Sequence, residues 1–147
     1  MAGARILLVE DDELNQALVR AVLTRSGDPR LRDAQLLVAG TLARAREVLA
    51  EAPADLVLLD MGLPDGSGLL LAADIAARGG APPAVIVLTG APGGQDSAEL
   101  AAGCTAVLRK PYRPAQLCQL AGEQLAQVRP GGPGRRQPAR QGQIEAR

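Results

Sequence analysis

Six side chains just past apolar segments could do chemistry. Glu10, Asp11 and Asp12 follow Ile6-Leu7-Leu8-Val9, Asp60 follows Leu56-Val57-Leu58-Leu59, Thr89 follows Ala84-Val85-Ile86-Val87-Leu88, and Lys110 lies just beyond Ala106-Val107-Leu108. If Glu10, Asp11 and Asp60 come within a few ångströms, their charges repel, which either raises a carboxylate pKa or recruits a cation. Magnesium suits that setting: it takes oxygen ligands, keeps several waters, and is held by one or two carboxylates together with phosphate oxygens. A carboxylate is also a nucleophile toward phosphorus and can form an aspartyl phosphate. The transferring phosphoryl group spreads negative charge over three equatorial oxygens, so positive and donor groups around it are the main requirement. Mg²⁺, the Lys110 ammonium and the Thr89 hydroxyl with neighbouring backbone N–H groups would supply them.

What the chain lacks narrows the chemistry further. It has 147 residues and no histidine, tryptophan or phenylalanine, and Tyr112 is its single aromatic residue. Without histidine there is no Ser-His-Asp or Cys-His arrangement, no His-ligated zinc, and no phosphohistidine donor in this chain. Of its 16 basic residues all are arginine except Lys110, which follows Arg109 and not a glycine, so no Walker A loop is present. A compact ammonium on a flexible stem suits a phosphoryl oxygen better than a broad guanidinium fork does. One lysine at the end of an apolar run therefore reads as a functional group and not as a solvated surface amine.

Net charge is zero, but five arginines and one Glu fall in residues 129–147, leaving 11 basic and 15 acidic groups in residues 1–128. That mildly acidic body lacks the basic face and stacking aromatics of a nucleic-acid domain. Cys104 and Cys118 are too far apart for a CxxC pair and too few for tetrahedral zinc, so they read as reduced, mostly buried thiols of a cytoplasmic protein. No apolar run approaches the ~20 residues of a membrane span, and the N-terminus lacks a signal-peptide layout.

The elements that must position these groups follow from hydrophobic periodicity. Continuous apolar runs at 6–9, 36–39, 56–59, 84–88 and 106–108 fit strands buried on both faces. Between them lie helical stripes: Leu14, Leu18, Ala21 and Val22; Leu42, Ala45, Val48 and Leu49; Leu117, Leu120, Ala121 and Leu125. Pro64-Asp65-Gly66-Ser67-Gly68 reads as a turn and helix start, with cap chemistry and without the glycine spacing of a nucleotide loop. Five strands alternating with five helices predict an α/β fold with a doubly wound parallel sheet, whose ligands sit beyond the carboxyl ends of the strands. Residues 1–128 are expected to form this domain, and the Gly/Pro/Arg-rich stretch 129–147 to be a disordered tail.

Four ordered motifs make the chain similar to the receiver domains of two-component response regulators, the CheY-like family. They are Ile6-Leu7-Leu8-Val9-Glu10-Asp11-Asp12, Asp55 through Gly68, Val87-Leu88-Thr89-Gly90, and Lys110-Pro111-Tyr112, and the resemblance spans roughly residues 4–128. It implies a flavodoxin-like strand order 2-1-3-4-5, and it implies that Asp60 is the phosphoacceptor, charged by a histidine kinase or a histidine phosphotransfer protein. It implies Mg²⁺ on Asp11, Asp60 and the Gly62 backbone carbonyl, with Glu10 acting through water. Thr89 and Lys110 would contact the phosphoryl oxygens, and the Lys110-Pro111 bond would be cis. Asp12 is read as a cap of the first helix in preference to a metal contact.

The chain departs from the family in three places. Many receivers carry Tyr or Phe three residues before the lysine, where this chain has Val107, so a switch through Thr89 and ordering of the following loop is expected in place of a ring movement. The segment Gly90-Ala91-Pro92-Gly93-Gly94 reads as a mobile loop before a short helix from Gln95 to Ala102, and the connection Ser26–Asp33 is long for the family. The stretch after Arg129 is too short and polar for a DNA-binding fold. Output is therefore expected through a downstream protein, a phosphorylation-dependent homodimer or a relay step, with no separate output enzyme, no nucleic-acid contact and no membrane. Two alternatives compete with this reading: a receiver-like module that binds partners without phosphorylation, and an Asp-nucleophile phosphatase of the haloacid dehalogenase type. The latter normally has a second Asp where this chain has Gly62.

Overall fold

The computed structural model describes residues 4–78, 82–90 and 103–127. The elements run β1 (Arg5–Val9), α1 (Glu13–Thr24), α2 (Pro29–Arg32), β2 (Gln35–Ala39), α3 (Leu42–Glu51), β3 (Leu56–Asp60), β4 (Gly62–Leu63), β5 (Gly66–Ser67), α4 (Gly68–Ala77), β6 (Ala84–Thr89), β7 (Ala106–Arg109) and α5 (Pro114–Gln127). Five parallel strands form the main sheet in the order β2-β1-β3-β6-β7, the flavodoxin-like order expected, and β4 and β5 form a small antiparallel hairpin beside it.

The apolar runs are strands because both of their faces are covered. Along β1, Leu7 and Val9 join the core under α3 and α4, while Ile6 and Leu8 join the core under α1, α2 and α5. β3 divides the same way, with Val57 and Leu59 on one side and Leu56 and Leu58 on the other. Each fully buried leucine contributes about 1.5–3 kcal/mol of transfer free energy, which is how a core without Phe or Trp holds together.

Two of the three helical stripes face inward as expected: Leu42, Ala45, Val48 and Leu49 on α3, and Leu117, Ala121 and Leu125 on α5, with Leu120 partly buried. The α1 stripe does so only in part, since Ala21 and Val22 are partly buried, with Val22 packed against the core, while its first half faces outward. Leu14 and Leu18 stand 68% and 55% exposed, and Val19 and Leu23 are the buried pair. The cause lies at the helix start. Asp12 is the N-cap, accepting from the Asn15 N–H at 2.9 Å, and the Gln16 side-chain amide donates to the Glu10 carbonyl at 2.7 Å. These bonds turn the face bearing Gln16, Val19 and Leu23 toward the sheet, and a polar member of a buried face does not register as hydrophobic periodicity.

The long connection before β2 contains α2, capped by Asp28 and started by Pro29, with Leu31 plugged into the core at 1% exposure. The Asp28–Arg30 ion pair of α2 lies against Gly122 of α5, where an added Cβ would come 2.9 Å from Asp28 Oδ2. Cys104 is buried and Cys118 partly buried, and neither is in a disulfide. No helix among the described residues is long and apolar enough to cross a membrane. The expected helix at 95–102, most of the loop before it and the tail 129–147 lie outside the described residues.

Candidate functional site

Parallel pairing brings the strand ends to one edge. β1 pairs with β3 through Val9↔Leu59, β3 with β6 through Asp60↔Leu88, and β6 with β7 through Thr89↔Arg109. The residue beyond each pair therefore opens onto a common rim, as the crevice rule for such sheets requires. Carboxylate oxygens of Glu10, Asp11 and Asp60 all lie within 4.8 Å of one another. Lys110 Nζ donates to Asp60 Oδ1 at 3.0 Å across 50 residues of sequence, and the Lys110 backbone N–H donates to the Thr89 carbonyl at 2.7 Å. The Lys110-Pro111 peptide bond is cis.

Electrostatics follow from burial and crowding. Glu10 is only 3% exposed, and burial pushes its carboxyl above the ordinary value of 4.5; Asp60 and Asp11 push the same way, against the Asp12 N–H and Lys110. For Lys110, burial disfavours the ammonium, but the hydrogen bond and charge of Asp60, with Glu10 behind it, hold its pKa above the usual 10.5. Tyr112, half-buried beside the site, is also raised, by burial first. Three carboxylates against one ammonium leave a formal charge of −2 in an all-oxygen donor set with Asp11 exposed to solvent. That is the chemistry of a hard divalent cation such as Mg²⁺ and not of zinc or copper.

Other expected site residues fall close by. Thr89 ends β6 at 2% exposure. Gly62 is exposed at the start of β4, two residues past Asp60, with open space where a Cβ would stand. Val107 is partly buried in β7 and pairs with Val87. Asp12 caps α1, as expected.

Three supporting residues were not legible from spacing. Gln16 holds the Glu10 carbonyl from α1. Gly68, first residue of α4, abuts the end of β3: an ideal Cβ there would collide with the Asp60 carbonyl oxygen and meet Leu59 Cγ at 3.0 Å. Asp65 accepts from the Leu42 and Ala43 N–H groups at 2.8 and 3.1 Å, and these bonds, Leu42 first, hold its carboxyl below the usual 3.8. The Asp65–Gly68 segment is cap chemistry as expected, since Ser67 caps α4, but Asp65 caps a different helix.

The sheet order, the acidic cluster and the lysine meet at one edge of an α/β fold, and residues 6–121 match the response regulator receiver domain. The chain belongs to that family. It is 35% identical over 108 residues to the KDP operon transcriptional regulatory protein KdpE of Escherichia coli, an alignment covering 73% of this chain and 44% of that one. The chain thus spans less than half the length of that relative. Among solved structures, the BeF3-activated receiver domain of Klebsiella pneumoniae RstA superposes with a TM-score of 0.70 at 29% identity, covering 82% of this chain and 97% of that one. The receiver domain of the sensor histidine kinase PA1611 from Pseudomonas aeruginosa, solved with a magnesium ion coordinated in its active-site cleft, superposes with a TM-score of 0.72 at 27% identity, covering 85% and 99%.

Proposed function

We propose that residues 1–128 form a receiver unit that accepts a phosphoryl group on Asp60 from the phosphohistidine of a histidine kinase or phosphotransfer protein. The observation that carries this reading is the Lys110 ammonium 3.0 Å from Asp60 Oδ1, beside the Glu10 and Asp11 carboxylates. In the transfer, a carboxylate oxygen of Asp60 bonds to phosphorus, the P–N bond of the donor breaks, and the imidazole leaves carrying the bonding electron pair. Asp11, Asp60 and the Gly62 carbonyl would hold Mg²⁺, with Glu10 reaching it through water. The ion would neutralise charge developing on a phosphoryl oxygen. Lys110 keeps its proton throughout and moves its ionic contact from the Asp60 carboxylate to the phosphoryl group. Thr89 donates its hydroxyl to another oxygen.

Incubation with Mg²⁺ and acetyl phosphate, followed by intact mass measurement, tests this. Wild type should gain one phosphoryl mass and Asp60→Asn none; an unmodified wild type sinks the reading.

Because position 107 is valine, the phosphoryl group has no ring there to draw inward, and its effect would pass through Thr89 to the chain that follows. A beryllofluoride mimic should then change amide exchange at Thr89 and Gly90, and unchanged rates there reject this route. The altered surface would act on a downstream protein, a second copy or a relay partner.

A further inference from the structure

Asp60 runs directly into a six-residue hairpin, Gly62 to Ser67, and the way that hairpin is held gives Asp65 a role beyond capping. A helix leaves its first N–H groups without intrahelical partners. On α3 the N-cap Thr41 takes only the Arg44 N–H, at 3.0 Å. The Leu42 and Ala43 N–H groups go to the two carboxylate oxygens of Asp65, 23 and 22 residues further along the chain. Two bonds from one carboxylate fix orientation as well as distance. The helix they reach is itself immobilised by Leu42, Ala45, Val48 and Leu49 in the core.

The hairpin is pinned at its other end too. The Gly68 N–H closes it by donating to the Met61 carbonyl at 3.0 Å, and Gly68 leaves no room for a side chain against Asp60. At the tip, Gly66 at φ 141° brings its α-carbon over Leu42, where a Cβ would stand 3.2 Å from Leu42 Cδ1. Gly62 lies between these pins, exposed, with no side chain and nothing within 4 Å of its Cβ position. Its place next to Asp60 therefore depends on the rest of the hairpin.

We infer that Asp65 is a positioning residue for the metal-binding edge of the site: it tethers the hairpin to α3 and so holds the Gly62 carbonyl where a divalent cation shared with Asp60 and Asp11 can use it. This rests on the reading of Gly62 and Asp60 under Proposed function. Groups that orient a ligand from behind typically change metal affinity 10- to 100-fold when lost.

The test titrates Mg²⁺ by calorimetry into wild type, Asp65→Ala, Asp65→Asn and Thr41→Ala, and follows amide exchange at Gly68 in the metal-free proteins. Asp65→Ala should weaken Mg²⁺ about 10-fold and speed Gly68 exchange. Asp65→Asn, which keeps one carbonyl acceptor, should fall between it and wild type. Thr41→Ala removes a cap from the same helix without touching the hairpin and should change neither quantity. Equal losses in Thr41→Ala and Asp65→Ala would reduce Asp65 to an ordinary cap and overturn the inference, as would wild-type behaviour of Asp65→Ala in both measurements. If wild type binds no Mg²⁺, the functional reading falls and takes the metal role of Asp65 with it, while Gly68 exchange still decides whether the tether exists.

Discussion

The two acidic turns of the site are built differently. Apart from the Glu10 N–H, which donates to the Ala39 carbonyl of the paired strand at 2.9 Å, the turn after β1 is held by its own neighbours: the Asp12 N–H donates to Glu10 Oε2 at 3.1 Å, Gln16 holds the Glu10 carbonyl, and Asp12 caps the helix that follows. The turn after β3 is closed locally by the Gly68 N–H on the Met61 carbonyl, but its side chains are held from far along the chain, by Lys110 at a separation of 50 residues and by Leu42 and Ala43 through Asp65. A locally closed turn keeps its shape when distant parts move. A turn fixed by remote contacts reports on them and transmits to them, which is where a phosphoryl group must sit if its arrival is to be felt elsewhere.

Replacing Lys110 with Gln should have the largest effect and separates the two turns most sharply. Removing one preorganised donor from developing charge costs about 10²–10³ in rate, so phosphorylation of Asp60 by acetyl phosphate should slow by that order in stopped-time mass measurements. Mg²⁺ affinity should not weaken, because the carboxylates lose a competing cation and the Glu10 turn does not depend on Lys110. A Lys110→Gln protein that binds Mg²⁺ more weakly than wild type would show that the first turn also relies on remote contacts.

Gly68→Ala ranks next. Its methyl group meets the Asp60 carbonyl and the Leu59 side chain, and overpacking of this kind costs about 1–3 kcal/mol. The urea midpoint should fall accordingly, and phosphorylation should fall with it, since the strain lands on the Asp60 main chain. A matched methyl at Gly27, where an added Cβ meets nothing within 4 Å, should leave both unchanged. If the two variants behave alike, the α4 start does not bear on Asp60.

The same contrast explains what could be read in the sequence. Strands buried on both faces announce themselves as unbroken apolar runs, and residues at their ends are brought together by topology, so Glu10, Asp11, Asp60, Thr89 and Lys110 were legible. The roll of α1 was not: Leu14 and Leu18 make as good a stripe as Val19 and Leu23, and a side-chain to main-chain bond from Gln16 decides between them. Asp65 was legible as cap chemistry but not as a tether, because its partners are backbone N–H groups more than 20 residues away, which carry no residue signature. Gly68 looked like turn punctuation, and only packing shows what its missing side chain permits.

The smallest expected effect is the pH dependence of the locally held turn. Burial and the neighbouring carboxylates raise the Glu10 pKa in the folded state above 4.5, so the folded chain binds that proton more tightly than the unfolded chain does. The stability this group contributes is complete below 4.5 and is lost as pH rises through its folded value. Asp28 and Asp65 have the opposite sign, but their contribution is complete above 3.8 and is lost only as pH falls below it, and that of Lys110 is complete below 10.5 and is lost only above it. As pH falls from neutrality toward 4.5, the metal-free protein should therefore become slightly more resistant to urea. Glu10→Gln should flatten that slope, and saturating Mg²⁺ should abolish it by supplying the countercharge that the proton otherwise provides. A slope that survives both changes would assign the titration to a group outside the first turn.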